Sequence, residues 1–154
     1  MLALPLMLMA CKKDKKCPYT TSTQVAGATE IANLKAWLDS SSLTYTQHPS
    51  GIFYKVITPG SGPTPGVCSE VTVKYKGLLT NGTGFDSSYT RDPDGSVFTL
   101  GELIPAWQIG IPLIQKGGSI ILYVPPSMGY GSAANGPIPA NSNLIFNVEL
   151  INVK

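Results

Sequence analysis

Apolar and polar residues alternate along most of the chain, and the period of the alternation changes once. In Thr29 to Leu38, Ile31, Leu34 and Leu38 recur at helical spacing with Trp37 beside the stripe, which predicts one amphipathic helix. Asp39 and the serines after it end the helix, and Thr23 or Thr29 would cap its start. Its stripe must pack on its own domain or on a second copy. From Tyr45 onward the pattern shortens to the period of strands. Gly51–Thr58, Glu70–Leu79, Phe85–Ser88, Ser96–Leu100, Ser119–Val124 and Leu144–Val153 read as β-strands. Glu70–Leu79 is the clearest: Val71, Val73 and Tyr75 fall on one face, and Thr72, Lys74 and Lys76 on the other. Pro59 to Pro63, Asn81-Gly82 and Lys116 to Gly118 are breaks, Asn81-Gly82 being a hairpin signal. Pro105 to Ile111 predicts a short helix with proline in its first turn. Five or six strands, one short central helix and no alternation of strand with helix give an α+β domain with an antiparallel sheet.

Composition supports β structure and turns. The 154 residues include 16 glycines and 13 prolines, and only 13% are charged. Such a chain is too apolar to remain disordered. The net charge of +2 is localised: residues 12–16 hold four lysines and one aspartate, leaving seven basic and eight acidic residues elsewhere. A near-neutral body has no electrostatic footprint for nucleic acid.

The first ten residues, MLALPLMLMA, are apolar, too few to span a bilayer as a helix but suited to the core of an export signal. Leu8-Met9-Ala10-Cys11 resembles a bacterial lipobox, although no basic residue precedes the apolar run. The resemblance implies cleavage before Cys11, acylation of that residue and attachment to a bacterial membrane, on the periplasmic side or at the cell surface. Residues 1–10 would be the signal, 11–22 a lipidated tether, 23–44 a helical extension and 45–154 the main domain. With Cys11 taken, Cys17 and Cys68 remain, and an even remainder in an exported protein suggests a disulfide; the alternative is two buried thiols. One histidine and no close cysteine pair leave no metal site, and no cofactor is expected.

Pro125 to Asn143 is a Gly/Pro/Ala-rich connection whose length suggests a binding role, with a poorly ordered surface loop as the plain alternative. It belongs to a larger set of ordered blocks. These are Val73-Lys74-Tyr75-Lys76-Gly77, Gly82-Thr83-Gly84-Phe85-Asp86-Ser87-Ser88, Phe98-Thr99-Leu100-Gly101, Leu103-Ile104-Pro105-Ala106-Trp107, Tyr130-Gly131, and Ile138-Pro139-Ala140 through Leu150. In that order and spacing they resemble the FKBP family of peptidyl-prolyl cis–trans isomerases, over Gly51 to Lys154. The resemblance implies a curved antiparallel sheet wrapped around the helix at Pro105, with a pocket between them. It implies Trp107 as the pocket floor, Tyr75, Phe85 and Phe146 as aromatic walls, and Asp86 as the polar group in the wall. Ile104 would offer its backbone N–H, and Tyr130 its hydroxyl, to substrate carbonyls. Leu103, Phe98 and Ile138 would complete substrate binding, Ile138 as a cover. Substrates would be proline-containing polypeptides, tacrolimus-like macrolides would inhibit, and the chain would be a monomer.

Three positions depart from the family pattern. Ala106 replaces a usual glycine, Ser96 stands where some members have a pocket aromatic and so should lower that wall, and the loop after Tyr130 is about one residue shorter. Two further readings use the same residues: a proline-binding chaperone or docking module with little catalysis, and an assembly protein paired through its N-terminal helix. The docking module would keep the same pocket, and the assembly protein would use the domain as scaffold; taken singly, Tyr75, Phe146 and Trp107 could be ordinary core, and Asp86 a turn cap.

Overall fold

A computed structural model describes residues 16–154; the stretch expected to hold an export signal and a lipobox, Cys11 included, lies outside the described residues. An extended segment from Lys16 leads into helix α1, Ala28–Ser40. Seven strands follow: β1 Thr46–Gln47, β2 Phe53–Thr58, β3 Glu70–Leu79, β4 Gly84–Ser87, β5 Ser96–Thr99, β6 Ser119–Val124 and β7 Leu144–Val153. Helix α2, Pro105–Gly110, lies between β5 and β6 and runs on into a 3-10 turn at Ile111–Leu113. The strands form one antiparallel sheet in the order β1-β2-β6-β7-β3-β4, with β5 also paired to β3. The two-residue strand β1 has no alternation to announce it and exists by pairing with β2.

Register shifts curve the sheet. One interrupts β3–β7 between Thr72 and Val73, and another interrupts β3–β4 between Gly77 and Leu78. In the second, Gly77 pairs with Asp86 and Leu78 with Gly84, so Phe85 is the extra residue. The hairpin between β3 and β4 closes as its Asn-Gly signal predicts: Gly82 has φ of 86°, and the Leu79 N–H donates to Thr83 O at 2.8 Å.

The alternating strands put Val71, Val73 and Tyr75 of β3, and Leu144, Phe146, Val148 and Leu150 of β7, into one core against α2. Strand β6 is apolar on both faces. Ile120, Leu122 and Val124 join that core, while Tyr123 joins Leu34, Leu38 and Phe53 in a second cluster under α1. The helical stripe therefore packs on the chain's own sheet. Leu34 and Leu38 are fully buried there, and the Ser127 hydroxyl donates to Glu30 in the first turn of α1 at 2.5 Å. Neither threonine caps this helix: Gly27 is the N-cap, in extended conformation, without a side-chain bond.

Candidate functional site

The bend of the sheet over α2 leaves a cavity of about 130 Å³, lined by Tyr75, Asp86, Phe98, Leu103, Ile104, Trp107, Tyr130 and Phe146. The lining residues are delivered by a few local rules. Tyr75 and Phe146 come from the inward positions of β3 and β7, and Phe98 from β5, where it pairs with Val71. Leu103 and Ile104 form the extended approach to α2. Pro105 fixes the start of that helix, which puts Trp107 in its first turn against the sheet.

Trp107 is 4% exposed and forms the floor. Its ring meets Tyr75, Phe146 and Phe98 edge to face, with centroids 5.1, 5.3 and 6.2 Å away. Such T-shaped contacts place positive ring edges on negative faces and fix the rings in a rigid, apolar cup. The Trp107 Nε1–H is buried and has no hydrogen-bond partner among the described residues. Tyr130, 38% exposed, stands at the rim.

Polarity enters the cup on one side. The Tyr75 hydroxyl donates to Asp86, and Arg91 donates from Nη1 to Asp86 Oδ1 at 2.9 Å and from Nη2 to the Tyr75 hydroxyl at 3.0 Å. Burial pushes the Tyr75 phenol up to about 12, with the Asp86 hydrogen bond adding to it. Burial also acts to raise the Asp86 carboxyl, but the donors Tyr75 and Arg91 outweigh it and hold the group below its ordinary value. Tyr130 is raised by burial and by the Asp86 charge. At neutral pH the site thus holds one carboxylate, one guanidinium and neutral phenols.

Two of the residues expected in the pocket are not on its lining. Phe85, the bulged residue of β4, stands edge to face behind Phe146 at 5.6 Å. It sits so close to β3 that a Cβ on Gly77 would meet its ring at 2.5 Å. Ile138 is 5% exposed and packs in the main core, its backbone closing a short bridge with Asn135. Ser96 is buried and off the lining, its hydroxyl donating to Asp92, while Phe98, two residues on, supplies an aromatic wall. Arg91 was hidden in a loop sequence; a carboxylate in an aromatic wall needs a cation, and that need was its only signal. The connection 125–143 is folded, with a 3-10 turn at Pro126–Met128 and an Asn141 N–H to Gly131 O bond of 3.0 Å.

Cys17 and Cys68 form a disulfide, their Cα atoms 5.8 Å apart. A second, shallower hollow of about 450 Å³ lies between residues 21–25 and the outer side of α2, and includes His48 and Gln108. It has no aromatic lining. His48 accepts from the Ser50 N–H at 3.1 Å, and burial lowers its pKa.

Comparison with known proteins places this geometry. The family model for FKBP-type peptidyl-prolyl cis-trans isomerase matches residues 62–151. The chain is 46% identical over 105 residues to the isomerase FkpA of Escherichia coli K12, covering 68% of this chain and 38% of the relative. It is 44% identical over 106 residues to the isomerase Mip of Coxiella burnetii, covering 68% and 46%. The crystal structure of FkpA from Escherichia coli superposes with a TM-score of 0.74 at 39% identity, over 82% of this chain and 60% of that one. The chain thus spans less than half the length of the curated relatives it matches.

Proposed function

The chain belongs to the FKBP-type peptidyl-prolyl cis-trans isomerase family, and from that premise we propose that it accelerates rotation about X–Pro bonds in exported polypeptides. The aromatic cup of Tyr75, Phe98, Trp107 and Phe146, with its single polar side at Asp86, is the observation that carries this reading.

Rotation about the amide faces a barrier of about 18–20 kcal/mol because twisting breaks its conjugation. No bond to the protein need form. The planar amide is the more dipolar state and the twisted amide the less dipolar one, so an apolar cup favours the second. In this reading the proline ring rests on Trp107 between Tyr75 and Phe146, with Phe98 and Leu103 beside it. Ile104 N–H donates to a substrate carbonyl and seats the chain in the cup, while the Tyr130 hydroxyl donates to a carbonyl flanking the proline and holds it out of the planar arrangement. Asp86, fixed by Tyr75 and Arg91, keeps the polar wall in one geometry. Phe85 and Ile138 act from behind the lining, as supports.

Export and anchoring belong to the same proposal. The lipobox-like Leu8 to Cys11 would place lipid at the start of the mature chain, with the lysines after it as a tether. A disulfide between Cys17 and Cys68 suits an oxidising compartment outside the cytoplasm. Mass spectrometry of the membrane fraction tests this: a diacylated or triacylated Cys11 peptide is expected, and an unmodified Cys11 thiol would overturn it.

Exchange NMR on a short peptide with an apolar residue before proline tests the activity. Catalysed interconversion that tacrolimus blocks is expected. A folded protein that binds tacrolimus without accelerating exchange would replace the enzyme by a docking module, and one that does neither would leave the fold without the function.

A further inference from the structure

The N-terminal segment ahead of α1 is held by a few point contacts. Between Cys17 and Val25 only Tyr19 and Ser22 are even partly buried, so no apolar core fixes its path. Farther along, Gln24 Nε2 donates to Ser127 O and Ala26 N–H to Ser50 O, but the contacts of Cys17–Ser22 gather around the approach to α2. The disulfide joins Cys17 to Cys68. On either side of Cys68, Val67 O accepts from Gly101 N–H at 2.7 Å and Ser69 O from Leu100 N–H at 3.0 Å. The Tyr19 hydroxyl donates to Glu102 at 2.5 Å, and its ring lies so close over Gly101 that a Cβ there would meet Tyr19 Cγ at 2.5 Å. Ser22 N–H donates to Gln108 Oε1 at 3.2 Å.

Gln108 follows Trp107 in α2, and its amide is used from both ends. While Oε1 accepts from the strap, Nε2 donates to Gly101 O at 3.2 Å and to Leu103 O at 2.8 Å. Leu103 C=O and Ile104 N–H are opposite edges of one planar peptide unit. A donor fixing the carbonyl therefore fixes the direction of the N–H, and polarises it. No hydrogen-bond partner for that N–H is found among the described residues, and Leu103 and Ile104 both line the cavity.

We propose that Gln108 is a positioning residue for the active site: it aims the Ile104 N–H at the substrate carbonyl, and the disulfide-pinned strap Cys17–Ser22 holds it in place. The proposal rests on the isomerase reading for its kinetic consequence but not for its geometry. Two kinds of readout on the full chain keep them apart. In ¹H–¹⁵N spectra, Gln108→Ala is expected to move the Ile104 amide resonance. Gln108→Glu keeps an acceptor for Ser22 but loses both donors, so Ile104 should move and Ser22 should not. Gly101→Ala lifts Tyr19 and should move strap residues and Ile104 together, as should Cys17→Ala with Cys68→Ala. In kinetics, losing one hydrogen-bond anchor should raise KM roughly three- to tenfold with kcat nearly unchanged, because the N–H serves ground and transition states alike.

Ile104 resonances and KM left unchanged in Gln108→Ala, with only the melting temperature lowered, would overturn the proposal by reducing Gln108 to a structural tie. If the unmodified chain shows no turnover, the isomerase reading fails. The amide shifts then decide the positioning role alone: a shift at Ile104 supports it, and a shift confined to residues 17–24 overturns it.

Discussion

Asp86 accepts from the Tyr75 hydroxyl, from Arg91 and from the Ser87 N–H, and each donor favours its ionised form. Its folded-state pKa lies below the unfolded value, so its stabilising contribution is present above the usual carboxylate range and is lost as pH falls through the lowered value. Asp86→Asn should therefore flatten the loss of thermal stability between about pH 5 and pH 2, as read by melting curves across that range. Tyr75 works in the opposite direction: raised to about 12, it favours folding below its unfolded value and ceases to as pH rises toward that figure. Between these limits no lining group changes charge, so kcat/KM should be flat from about pH 5.5 to 9; a bell centred near neutrality would mean general acid–base chemistry instead. Asp86 and Trp107 were legible in the sequence because their neighbours form specific blocks. Arg91 was not, because an arginine in a loop of Asp, Pro and Gly carries no periodicity, and its partners are 5 and 16 residues away.

The elements follow from burial more than from propensity. Helix α1 has only a modest stripe, but Leu34 and Leu38 are fully buried between it and the outer face of β2 and β6. Truncating either to alanine should cost about 2–5 kcal/mol in denaturant melts. That cost should not depend on protein concentration, since the stripe packs on its own sheet and not on a second copy. Removing the disulfide, which closes a separation of 51 residues, should cost on the order of 4 kcal/mol in the chain-entropy view, measured against the oxidised protein. The long strands were readable because one buried face imposes strict alternation on β3 and β7. Two local features were not. The pair Thr46–Gln47 is too short for any pattern, and the extra residue at Phe85 depends on how β4 pairs with β3. That single shift separates Phe85, behind the wall, from Asp86, on it.

At the scale of the molecule, the antiparallel sheet around a short helix was legible because β3 and β7 each show one apolar face, which must be buried against the helix that follows Pro105. Closeness in space was less so. Ile138, expected over the proline, is buried with the aromatic residues of the cup but off the cavity's lining, where the loop 125–143 folds back through its own hydrogen bonds. The central claim is that a rigid aromatic cup with one polar wall lowers the barrier to prolyl rotation without a bond to the substrate. It is tested most directly by exchange NMR of a Leu-Pro peptide with substoichiometric protein, comparing the unmodified chain with Asp86→Leu. Acceleration in both directions with the cis:trans ratio unchanged is expected, and a loss of roughly tenfold or more in the variant, in which the Tyr75 hydroxyl loses its acceptor and Arg91 keeps only Asp92 and that hydroxyl. A folded wild-type chain that leaves the peptide's exchange at its uncatalysed rate would contradict it.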